Sequence, residues 1–162
     1  MSFDIFLQCF RKGQPATFKR EIFEDIFLPH CADLKGYRSD PKFMRAEFPD
    51  GGGSDIHSGN DYDVLRMQLE HGELPAGTDI GVDDKSIIDH MMFNHCGGDM
   101  FFQALYELAN RTQSVILWPS EGPSTVVTNE AVLKELPEKG FDLATIKIVH
   151  SGADIVEAIQ NS

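Results

Sequence analysis

The chain has 162 residues, with 26 Asp and Glu against 14 Lys and Arg and a formal net charge of -12. A chain this acidic is repelled by phosphate backbones, which argues against nucleic acid as a partner. Its 12 Phe and 41 % hydrophobic content exclude a disordered chain and suffice for one domain with a genuine core.

No apolar run approaches the roughly 18 to 20 residues that cross a bilayer, so no membrane span is expected. The start, MSFDIFLQCF, has no basic lead and no small-residue cleavage site and does not read as an export signal. Cys9, Cys31 and Cys96 are odd in number and far apart, with no CxxC. That pattern favours free thiols in a reducing compartment, and the expected location is the cytoplasm.

Residues 3–10 are dense in Phe and Ile, with Asp4 and Gln8 between them, and read as a strand. The segment 11–15 breaks it. Thr17 stands where it can cap a helix over 18–28, in which Phe18, Ile22, Phe23, Ile26 and Phe27 recur on one face. Pro29 ends that helix. Residues 30–41 read as loop and 42–48 as a short strand, with Phe43 and Phe48 as candidate core residues. The segment 49–63, PDGGGSDIHSGNDYD, has the least structured composition, with a brief strand around Ile56. Residues 64–69 fit strand or helix. A Gly-, Pro- and Asp-rich connector covers 71–84, and 86–93 leans to strand because Gly97 and Gly98 follow closely.

Asp99 as N-cap opens an apolar helix over 100–110, with Phe101, Leu105 and Leu108 on one face. Residues 115–118 form a strand stopped by Pro119, and 125–127 return as its hairpin partner. A helix begins at 128–130 and stops before Pro137. A strand at 146–149 and a helix at 153–159, capped by Ser151, close the chain. No glycine fingerprint follows the first strand, and strands and helices do not alternate regularly. The expected fold class is α+β: a single domain over 1–162, with a mostly antiparallel sheet covered by two main helices, 18–28 and 100–110.

The charge is unevenly spread. Residues 1–48 hold eight Lys or Arg and seven acids, whereas 49–111 hold three and twelve. A surface that concentrates negative charge raises encounter rates with basic proteins and disfavours other partners. Asp55, Asp61, Asp63, Asp83 and Asp84 are the residues expected to meet such a partner. The acids at 50–63 do not follow the alternate spacing and terminal Glu of a calcium loop.

Catalytic signals are sparse. His90, His95 and Cys96 form the tightest group of metal-ligating residue types, with Asp89 and Asp99 alongside, but the spacing fits no closed zinc motif. His57, His90, His95 and Asp99 are the residues a metal-dependent hydrolase would use here. There is no HExxH and no GxSxG, and Gly51–Gly53 with Ser54 lacks the Gly-Lys ending of a phosphate loop. No cofactor is called for.

The opening SFDIFLQCF and the later FFQALYELAN with VILWP resemble small bacterial proteins of no family of known activity, so no functional residue follows from them. Small acidic bacterial α+β proteins are sometimes adaptor or toxin-neutralising proteins, a class-level association only. The expected function is non-catalytic: binding a basic protein partner through an acidic face built from residues 50–89. The metal-dependent hydrolase is the alternative. Sequence periodicity leaves homo-oligomerisation open.

Overall fold

A computed structural model describes residues 4–162. Phe3, the first residue of the expected opening strand, lies outside them, as do Met1 and Ser2. In chain order the elements are β1 (Ile5–Arg11), β2 (Gln14–Pro15), β3 (Phe18–Lys19), α1 (Arg20–Phe27), a 3-10 turn (Leu28–His30), α2 (Leu34–Ser39), β4 (Phe43–Glu47), β5 (Gly53–Gly59) and α3 (Asp61–Glu70). There follow β6 (Ile87–Ile88), β7 (His90–Gly97), α4 (Asp99–Thr112), β8 (Ser114–Leu117), β9 (Thr125–Val127), α5 (Glu130–Leu133), β10 (Lys147–Ile148) and α6 (Gly152–Gln160).

The main sheet runs β10-β9-β8-β1-β7-β5-β4, with β2 folded back on β1. Its pairs are antiparallel except β10 with β9, which is parallel. The period-2 pattern of β1 sets the layers. Ile5, Leu7 and Cys9 point into the main core, while Phe6 and Gln8 stay half-buried on the other face. In the core Phe93 of β7 meets Phe101 of α4 with ring centroids 5.6 Å apart, and Phe27 of α1 reaches both rings. Beyond the sheet's other face, Phe10, Val115 and Val127 join Val132 and Leu136 in a small second core at one end.

The α+β class and the mostly antiparallel sheet are as expected, and the two-helix cover is corrected. The sheet is partly parallel at its β10 end, because the chain reaches β10 by way of α5 and a long loop rather than a tight turn. More than two helices cover the main core: α6 packs on α4 through Ile155 and Ala158, and α2 adds Tyr37. Gly152 makes that approach possible, since a Cβ there would lie 2.5 Å from the Phe102 carbonyl carbon.

Several local expectations change. Phe18 and Lys19 pair with Ile88 and Ile87, so α1 starts at Arg20 and Thr17 does not cap it. A tertiary partner outweighs the helical spacing there. Residues 34–39, read as loop, form α2, which Asp33 caps by accepting from the Gly36 amide at 2.8 Å. The Gly-rich 49–63 segment holds β5, an interior strand. Its glycines answer close packing rather than looseness, because a Cβ on Gly52 would meet the Gly98 Cα at 2.7 Å.

Asp99 lies inside the first turn of α4, behind a Gly98 at φ +93°. The free amides of that turn are served from outside: Asp50 Oδ2 accepts from Met100 N at 3.0 Å and Oδ1 from Gly52 N at 2.9 Å.

Candidate functional site

β5 and β7 are antiparallel neighbours in register, Gly59 opposite His90. Between them the chain leaves the sheet at Asn60, forms α3 and returns at 85–89. Asn60 is the joint. Its side-chain oxygen accepts from Tyr62 N at 3.1 Å, and its amide donates to Asp63 Oδ2 at 3.0 Å, a reciprocal cap that starts the helix. Its Nδ2 donates to the Asp84 carbonyl at 2.9 Å, tying the end of the excursion to its beginning. Buried Arg20 secures the return: Nε donates to Lys85 O, and Nη1 to Pro41 O and Ser58 Oγ.

Carboxylates gather at this foot. Lys42 Nζ donates to Asp63 Oδ1 at 2.6 Å and to Asp83 Oδ1 at 2.8 Å. Burial opposes the Lys42 charge, but the two carboxylates outweigh it and its pKa rises. Burial likewise opposes ionisation of Asp63, and the bonds from Lys42 and the Asn60 amide overcome it, so that pKa falls. The Ser86 hydroxyl and amide hold Asp84 low. Asp89 is 3 % exposed and bonded through Oδ1 to Nδ1 of His90. That bond raises the His90 pKa against the opposing effect of burial, with Asp89, Asp63 and Asp61 adding their charges. The neighbouring Asp89 carboxylate, then burial, raises the pKa of Asp61.

Above the foot the excursion is poorly packed. α3 is ten residues long and none of them is buried, although it holds Val64, Leu65, Met67 and Leu69. Met67 is 53 % exposed and Val82, on the returning loop, 89 %. Residues 60–84 carry seven carboxylates against one arginine. A hollow of about 190 Å³ opens between α3 and the return, with Asp61 and Asp84 among walls of Leu65, Ile80 and Ile87.

Four of the five acids expected at a partner surface, Asp61, Asp63, Asp83 and Asp84, belong to this excursion. Asp55 sits apart, inside β5, facing Arg45 Nη1 at 3.4 Å and His95 Nδ1 at 3.0 Å. The histidines are dispersed. His57 lies against Phe43 with ring centroids 4.8 Å apart and the planes tilted by 54°, and His90 engages Asp89. His95, at φ +48°, lies five residues further along β7, about 16 Å away in an extended strand. Asp99 is exposed on α4, and Cys96 packs against the main core, where burial pushes its thiol pKa up. Neither the His57, His90, His95 and Asp99 set nor the His90, His95 and Cys96 set is brought together. Among the described residues no three His, Cys, Asp or Glu side chains gather to hold a metal ion.

Sequence reasoning missed Asn60, Lys42 and the burial of Asp89. The Asn60–Asp63 spacing of a reciprocal helix cap was the available signal for the first. No helix among the described residues is long and apolar enough to cross a membrane. No protein-family model matches the chain, and neither curated proteins nor solved structures give a significant match.

Proposed function

We propose that this protein is a non-catalytic interaction protein, of the adaptor or toxin-neutralising type, that takes a basic protein partner on the lobe formed by residues 60–84. One observation carries the reading: a well-capped helix stands off the body with no buried residue and leaves Val64, Met67 and the nearby Val82 in water. A helix this short is marginal alone, and exposed apolar side chains rimmed by charge mark interaction surfaces. The surrounding carboxylates select the sign of the partner. A second copy of this acidic chain would meet like charge there.

The metal-dependent hydrolase is the weaker reading, since its side chains serve separate partners: His57 with Phe43, His90 with Asp89, His95 with Asp55. Association kinetics test the lobe. A basic protein captured by this chain and then purified is mixed with wild type and with a variant carrying Lys at 61, 63, 83 and 84. The variant is expected to associate about tenfold or more slowly at low salt and with a flatter dependence on ionic strength. An unchanged rate and salt slope would overturn the proposal.

A further inference from the structure

Directly opposed residues of antiparallel strands share a face. The register sets Leu117 of β8 beside Phe6 of β1, Phe6 beside Met92 of β7, Met92 beside His57 of β5, and His57 beside Phe43 of β4. These five residues form one row across consecutive strands, on the face turned away from the main core. Phe6 and Met92 belong to neither core, and Phe43 is 44 % exposed.

A cleft of about 300 Å³ adjoins the row where α3 overhangs the sheet, with Phe6, Gln8 and Leu117 on the sheet side, Val64 on the helix side and His90 lining it. Carboxylates border the row along both flanks. Asp4, held by Asn94 Nδ2 at 2.7 Å, and Asp55 lie on one, and Asp61 and Asp63 on the other. Arg45 and Lys42 are the cations paired among them.

We propose that this row is the docking floor for the basic partner, and that it receives a short segment whose large apolar side chains are flanked by Lys or Arg. The inference rests on the acidic lobe being the partner surface. Exposed carboxylates steer a partner and set its sign but add little affinity by themselves, whereas a desolvated apolar contact sets the dissociation rate. The lobe and the row adjoin at Val64, so one segment reaches both.

Nitrogen-15 NMR titrations of the full chain with three synthetic peptides, Lys-Leu-Trp-Leu-Lys, Lys-Ser-Gly-Ser-Lys and Glu-Leu-Trp-Leu-Glu, provide the test. The first is expected to shift the amides of Phe6, His57, Met92 and Leu117 and to bind about tenfold more tightly than the other two. Phe43→Ser, at an exposed position outside both cores, should weaken it about fivefold with the rest of the spectrum unchanged. Shifts confined to α3 and 79–84 with both basic peptides would overturn the docking floor and leave the lobe standing. Equal binding of the acidic and basic Leu-Trp peptides on the row would overturn the basic segment. No shift with any peptide would overturn the floor as well, the lobe being judged by its own charge-reversal kinetics.

Discussion

The Asp89 carboxylate, almost wholly removed from water, is bonded to Nδ1 of the next residue, His90, whose ring lies over Gly59 at the foot of α3. A buried carboxylate in that position favours the imidazolium. The folded-state pKa of His90 is raised, so its contribution to stability is complete below the unfolded value of about 6.5 and is lost as pH rises through the folded value. Asp89→Asn should lower the His90 pKa, read from the ring proton resonances. Urea midpoints between pH 5 and 9 should then lose the part of their slope due to this residue.

Lys42 holds Asp63 and Asp83 from opposite ends of the excursion, with all three side chains less than a third exposed. Lys42→Met leaves two carboxylates facing each other without their cation. The expected cost is about 1 to 2 kcal/mol, together with faster amide hydrogen exchange in α3. Asp63 has a lowered pKa, so its stabilisation is present above the unfolded value and is lost as pH falls through the folded one. The variant should show less of that acid-side loss in denaturation midpoints between pH 3 and 7.

Asp50 serves the start of α4 from another part of the chain, and its pKa is lowered by the Met100 amide, then that of Gly52. Asp50→Ala should lower the thermal midpoint, whereas Asp50→Asn, which keeps an acceptor oxygen, should recover much of the loss near pH 7. The difference between Asp50 and Asn should vanish as pH falls through the folded pKa of the aspartate.

Gly152→Ala drives a methyl group into the backbone of α4 at Phe102 and Gln103. Backbone on both sides leaves nothing flexible to yield. A loss of about 3 kcal/mol or more is expected in urea denaturation, with the sheet-face amides of Phe6 and Met92 unshifted in whatever folded fraction remains.

Elemental analysis of tag-free protein prepared in metal-replete medium should find no stoichiometric transition metal. Zinc at one equivalent, lost when His90 and His95 are both changed to Ala, would restore the hydrolase reading.

Elements whose own residues decide their structure were legible in the sequence. The alternation around Leu7 and the one-face spacing of Phe101, Leu105 and Leu108 gave strand and helix directly, and Ser151 caps α6 by accepting from Asp154 N at 3.2 Å. What stayed hidden depends on partners distant in the chain. Phe18 and Lys19 leave the helical pattern because Ile87 and Ile88 pair with them, and α4 is capped by Asp50, half a hundred positions away. The excess of acids over 49–111 was legible as composition, and four of the five named there, Asp61, Asp63, Asp83 and Asp84, lie on the one excursion. Asp55 does not join them, because β5 carries it along the sheet toward Arg45. The row from Leu117 to Phe43 was invisible for the same reason: five strands each contribute one residue, so no window of sequence contains it.

Asn60 clasps the Asp84 carbonyl, and the strands on either side of the excursion already pair with each other. Residues 60–84 are therefore an insertion into what would otherwise be a plain hairpin. An insertion closed at its neck can lengthen, shorten or be exchanged while the sheet beneath keeps its register. Sheet and lobe are thus joined at two fixed posts, the Asn60 side chain and the pairing of Gly59 with His90.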